Sequence, residues 1–119
     1  MEKLILEPTP LTCGQAVLAM LCGKSVWQVI KELDNDRETT FAQMKSYLEN
    51  HGIFLGGDRV AVNRKEELPP LALLSLQTPK CWHWSLFESG RFWDPEYGIL
   101  TDFPESDRRY YWELQKSVC

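Results

Sequence analysis

The feature that most constrains this chain is a helical segment that is apolar all round. It reads Cys13-Gly-Gln-Ala-Val-Leu-Ala-Met-Leu-Cys22. Thr12 stands where it can cap the start, and Gly23 suits the end. Cys13, Ala16, Val17, Met20 and Leu21 form one stripe, while Leu18, Ala19 and Cys22 make the opposite side apolar too. A helix with no face to offer water must run through the middle of a domain. The run is far too short to cross a bilayer. The rest of the chain therefore has to cover it, and 119 residues can enclose one core and little more. A single domain over residues 1–119 is expected.

The sequence on either side supports helices first and strands later. Ser25 caps a second helix with Val26, Val29, Ile30 and Leu33 on one face and Lys31 and Glu32 outside. A third starts near Thr39 or Thr40, carries Phe41, Met44 and Leu48, and ends at Gly52. Asp34–Glu38 between them is polar and reads as a solvated loop. Ile53–Leu55, Val60–Val62, Leu71–Gln77, Trp82–Glu88 and Arg91–Asp94 read as short strands. Gly56-Gly57, Pro69-Pro70, Pro79 and Ser89-Gly90 punctuate them. The segment Asp107–Ser117 is open to two readings: a strand closing the sheet or a last helix. The whole is an α+β pattern, with helices packed on a C-terminal antiparallel sheet.

Charge narrows the function classes. Lys and Arg total 13 against 17 Asp and Glu, a formal net charge of −4. That balance lacks the field a nucleic-acid partner needs, and no basic run would hold an anionic membrane. Met1–Pro8 has no basic segment followed by a long apolar run, so no signal peptide is expected. Four cysteines, Cys13, Cys22, Cys81 and Cys119, then imply free thiols in a reducing, cytoplasmic setting. Cys81 and His83 are spaced like half of a zinc site, but the second ligand pair is missing, so no metal and no cofactor are expected. Cys22 reads as a small core residue, and Cys119 as an incidental terminal one.

The hairpin carries the chemistry. With a two-residue turn at Ser89-Gly90, Glu88 pairs with Arg91, Phe87 with Phe92, Leu86 with Trp93 and Ser85 with Asp94. Alternation puts His83, Ser85 and Phe87 on one face and Trp82, Trp84 and Leu86 on the other. Asp94 then lies diagonal to His83, within side-chain reach. A carboxylate there accepts a hydrogen bond from the Nδ1 proton, fixes the tautomer and stabilises imidazolium. Cys13 opens the buried helix, where the dipole and free N–H groups favour thiolate. Together the three make an activated nucleophile: Cys13 attacks, His83 shuttles the proton, Asp94 orients His83.

Those segments have a family likeness. Cys13-Gly-Gln-Ala-Val-Leu-Ala-Met, then His83-Trp84, then Asp94-Pro95, resembles the bacteriocin-processing (double-glycine leader) peptidases, which are papain-like cysteine peptidases. The resemblance covers roughly residues 5–100. It implies a papain-like fold, with Cys13 as nucleophile, His83 as general base and acid, and Asp94 as orienter. It also implies a peptide or protein substrate, an isopeptide or related amide bond included. Where the family carries an oxyanion-hole Gln, this chain has Glu7. A carboxylate accepts hydrogen bonds and repels a developing oxyanion. Glu7 held protonated, Gln15, or the Cys13 N–H are the candidate replacements. Two other functions fit the same residues: a non-catalytic binding protein on this fold, favoured by Glu7 and surplus aromatics, or acyl transfer from the Cys13 thioester to an amine.

Overall fold

In a computed structural model, residues 4–117 are described. Three helices come first: α1 (Cys13–Cys22), α2 (Val26–Leu33) and α3 (Phe41–Asn50). Seven strands follow: β1 (Ile53–Leu55), β2 (Val60–Ala61), β3 (Leu71–Gln77), β4 (Trp82–Glu88), β5 (Arg91–Asp94), β6 (Gly98–Leu100) and β7 (Arg108–Lys116). They form one sheet in the order β1-β7-β3-β4-β5-β6, and β2 also pairs with β7. Every pairing is antiparallel. The α+β architecture thus follows the sequence reading. No single helix among the described residues is long and apolar enough to cross a membrane.

The helix boundaries have local causes. Ser25 caps α2 by accepting from the Gln28 N–H, and Thr40 caps α3 in a reciprocal box with Gln43. Gly23 ends α1 in the left-handed conformation at φ 68°, which costs glycine little. Thr12 departs from expectation. It precedes α1, but its hydroxyl bonds back to Thr9 and caps nothing. The first turn of α1 therefore keeps its N–H groups free of a side-chain cap.

The ambiguous segment resolves as β7, which inserts between β1 and β3 in the sheet. Trp112 and Leu114 of β7 face the helices and are buried there. Alternation along 108–116 satisfies the sheet better than a 3.6-residue period would satisfy a helix. Two elements went unread: β6, and a 3-10 turn at Lys65–Glu67. Both are three residues long, too short to leave a periodic signature. The second strand also stops one residue early, at Ala61.

The sheet has two covered faces. Leu73, Leu86, Trp112 and Leu114 pack with α1, α2 and α3, joined by Trp84 and Trp93. Ala72, Leu74, Leu76, Phe87 and Phe92 fill the reverse face beneath Leu68, Leu100 and Phe103. Nine residues of α1, Cys13 to Leu21, are buried, as its all-round apolarity requires. Cys22 is only half-buried against the core's edge. Trp84, Trp93 and Trp112 serve the core, whereas Trp27 and Trp82 stand largely exposed. Cys119 lies outside the described residues.

Gly14 sets how closely α3 approaches α1. A Cβ there would lie 1.9 Å from Thr39 Oγ1 and 3.1 Å from Met44 Sδ. Thr39 is itself buried and bonds to Met44 Sδ, so it has little room to move. Alanine in an ordinary helix position gains up to ~1 kcal/mol over glycine. Here overpacking reverses the sign: Gly14→Ala should cost about 1–3 kcal/mol and lower Tm by several degrees. A thermal melt of the variant checks this, and a Tm at or above the parent value would contradict the packing.

Candidate active site

The Ser89-Gly90 turn positions the site. Both residues have positive φ, 54° and 84°, which gives the tight right-twisting hairpin the sequence implied. The register is Leu86–Trp93, Phe87–Phe92 and Glu88–Arg91, three of the four expected pairs; Ser85 and Asp94 meet through their side chains instead of as a ladder pair. Past Leu86 the two strands part. Among the described residues, Trp82–Ser85 of β4 have no β5 partner on that side.

The gap is filled by polar groups. Asp94 is fully buried and accepts four hydrogen bonds. Ser85 Oγ donates to Oδ2 at 2.8 Å. His83 Nε2 lies 2.9 Å from Oδ1, and the Glu96 and Tyr97 N–H groups donate to the same oxygen at 2.8 and 3.0 Å. The last two form an Asx turn that Asp94-Pro95 begins. A buried carboxylate would be expensive without such partners. With them it is a fixed anchor for the imidazole. The diagonal His83–Asp94 contact drawn from the hairpin is present. One detail is corrected: Asp94 holds Nε2, whereas the sequence reading gave it Nδ1. With Nε2 turned to Asp94, Nδ1 is the nitrogen left for the Cys13 side of the gap.

Cys13 arrives from the helix side at the same gap. The Trp84 N–H, unpaired on the β5 side, donates to Cys13 Sγ at 3.4 Å. The Trp84 indole donates to the Thr39 carbonyl at 3.4 Å, which ties β4 to the entry of α3. The N-terminal segment closes the third side, where the Glu7 N–H bonds the Pro95 carbonyl at 2.8 Å. One donor atom each from Glu7, Cys13 and His83 then lie within 4.8 Å of one another. Cys13 is 7% exposed, so access to Sγ is narrow.

Burial alone would pull the His83 pKa down. The Asp94 hydrogen bond, the Cys13 hydrogen bond and both charges outweigh it and raise the value from 6.5 to about 10. Asp94 shows the mirror case: burial raises it, but His83 and the Glu96 and Tyr97 amides win and hold it below the usual range. Glu7 is raised, chiefly by desolvation, against the opposing charge of His83. Its Oε1 is buried with no hydrogen-bond partner among the described residues.

The other candidates separate. Gln15, a candidate oxyanion donor, is fully buried and points away. Its Nε2 donates to the Asn35 and Arg37 carbonyls at 2.8 and 2.7 Å, pinning the α2–α3 loop. Both amide hydrogens are thereby occupied, so Gln15 is a structural residue. Cys81 is an exposed turn residue whose N–H and carbonyl bond Thr78, and it joins no ligand cluster among the described residues. Two contributors were not singled out from sequence. Ser85 had been placed opposite Asp94 but given no role. Tyr97 sits edge-on to the His83 ring at 6.1 Å and shields it.

A His held above its unfolded value stabilises the fold fully below about pH 6.5 and loses that contribution as pH rises through its folded value. In chelator-treated Cys13→Ser protein, where the Asp94 hydrogen bond and charge are left to raise the group, Tm should fall as the pH rises above about 6.5. Adding His83→Gln should flatten the curve over that range. Parallel curves for the two variants would contradict the assignment. No family model, curated protein or solved structure matches the chain.

Proposed function

We propose that this chain is a cysteine-dependent hydrolase of papain-like fold that cleaves a peptide, isopeptide or related amide bond through an acyl-enzyme. The observation that carries the reading is the line from Cys13 Sγ through His83 to Asp94. Sγ and a His83 nitrogen lie within 4.8 Å, and Nε2 is fixed on Asp94 at 2.9 Å. The likeness of Cys13-Gly-Gln-Ala, His83-Trp84 and Asp94-Pro95 to the bacteriocin-processing peptidases points the same way.

The steps follow from these groups. An imidazolium beside Cys13, at the start of a helix, stabilises negative charge on the attacking sulfur. The thiolate attacks the substrate carbonyl carbon, and the carbonyl electron pair moves to oxygen. The Cys13 N–H, free of any side-chain cap, is available to donate to that oxyanion. His83 Nδ1 gives its proton to the departing amine as the C–N bond breaks, leaving a thioester on Cys13. Neutral His83 then takes a proton from water, and the resulting hydroxide attacks the thioester. Collapse releases the acid and restores the thiolate–imidazolium pair.

Glu7 sets the pH dependence. Ionised, it opposes the oxyanion; protonated, its O–H can donate. Its upward shift by burial favours the neutral form over more of the acid range than a free Glu has. Incubation with a small activated thioester, followed by intact-mass and peptide analysis, tests the reading. An acyl group should accumulate on Cys13 and be absent in Cys13→Ala and strongly reduced in His83→Ala. Acylation of Cys22 or Cys81 instead, or equal labelling without His83, would overturn it. The Glu7→Gln variant should acylate faster than the parent at about pH 8, by tenfold or more, with the ratio shrinking toward about pH 5. A ratio that does not vary with pH would remove Glu7 from the oxyanion environment.

A further inference from the structure

The mechanism above uses Cys13, His83 and Asp94 and leaves the Glu7 carboxylate as an obstacle. The same carboxylate completes a different constellation. Glu7, Cys13 and His83 offer one oxygen, one sulfur and one nitrogen, all within 4.8 Å of each other. We propose that these three side chains form a binding site for a single Zn2+ ion, and that the ion silences the Cys13 thiol.

Four features of the site favour this. The donor set is mixed S, N and O, which suits a borderline cation rather than Mg2+ or Ca2+. Ordinary Zn–S and Zn–N bonds place neighbouring donors about 3.5 Å apart, so the cluster needs to tighten by only about 1 Å. His83 already has the support that metal-bound imidazoles require. Its Nε2 is held by Asp94 at 2.9 Å, Asp94 is held by Ser85, Glu96 and Tyr97, and Nδ1 is the nitrogen left for a metal. Glu7 is fixed through its own N–H to Pro95, and its Oε1 is buried without a partner among the described residues. A cation between the three donors would satisfy that oxygen.

Three protein ligands leave a fourth tetrahedral position for water. Binding replaces the protons that the ligands carry in the free protein, and these go to solvent. The sulfur lone pair that would attack a carbonyl is then held by the metal, and Nδ1 can no longer pass a proton. A Cys–His pair alone offers two ligands. Glu7 supplies the third, and this is where the chain differs from the peptidases it resembles. The silencing rests on the proposed thiol chemistry, whereas the binding does not.

The test uses the purified full chain and ZnCl2, with affinity measured by competition against a chelating indicator. One equivalent should bind. Glu7→Gln is isosteric and should weaken binding at least about tenfold, whereas Cys81→Ser should leave it unchanged. Zn2+ should also protect Cys13 of the parent protein from alkylation, a readout that needs no variant, while exposed Cys81 stays reactive. Substituting Co2+ should give thiolate-to-metal charge-transfer absorption that disappears in Cys13→Ser. Equal affinity in Glu7→Gln, loss of binding in Cys81→Ser, or a Cys13 that stays fully reactive under saturating Zn2+ would overturn the site. Thiol activation measured without metal tests the hydrolase reading separately, so either can fail while the other stands.

Discussion

The docking of α1 on β4 is the constraint on which the rest of the structure depends. α1 is apolar on every side, so the only low-energy place for it is between the sheet and the other two helices. Once it lies there, its N-terminus has to end somewhere along the sheet. It ends at the stretch of β4 that β5 leaves unpaired, where the Trp84 N–H meets Cys13 Sγ. A helix start with uncapped N–H groups is thereby set against an open strand edge. Gly14 permits the approach of Thr39 and α3, and Gln15 ties the α2–α3 loop from beneath. The first three residues of α1 thus have three different jobs: Cys13 meets the polar cluster, Gly14 allows close packing and Gln15 anchors a loop.

Burying Asp94 is the second requirement, and it explains the turn chemistry around it. A charged carboxylate with no access to water needs every lone pair engaged. The Asx turn through Glu96 and Tyr97, the Ser85 hydroxyl and the His83 ring meet that need together. The arrangement holds the imidazole rigidly, and the imidazole in turn gives the carboxylate its counter-charge. Lys80 and Glu96 form an ion pair at 2.7 Å on the surface above and mark the outer rim. The polar cluster is therefore continuous from strand interior to solvent, and it meets α1 at Cys13 and the N-terminal segment at Glu7.

Much of this was legible in the sequence, and the physics says which parts. Long patterned segments were readable: the all-round apolarity of α1, the stripe of α2, the apolar run of β3 and the alternation in β4. The two-residue turn sets the register, and the register brings Asp94 near His83. Short elements such as β6 were not readable, because three residues carry no period. Ring orientation was not readable either. Whether Asp94 meets Nδ1 or Nε2 depends on how the surrounding fold turns the ring, a tertiary fact with no local signal. The fate of Gln15 was hidden for the same reason: its partners, Asn35 and Arg37, are brought to it by the fold. Thr12 shows the limit of capping rules. It has the right residue type at the right position, yet a competing bond to Thr9 takes its hydroxyl.

The central claim is that His83 activates Cys13, and thiol reactivity tests it without knowledge of a substrate. The rate of iodoacetamide alkylation of Cys13, Cys22 and Cys81 would be followed against pH in metal-free protein, resolved by peptide mass spectrometry, with His83→Ala alongside. The account predicts that Cys13 reacts far faster than Cys22 and Cys81 near about pH 6, despite its burial, and loses that advantage without His83. A Cys13 that behaves as an ordinary or inert buried thiol at every pH, or one indifferent to His83, would contradict it.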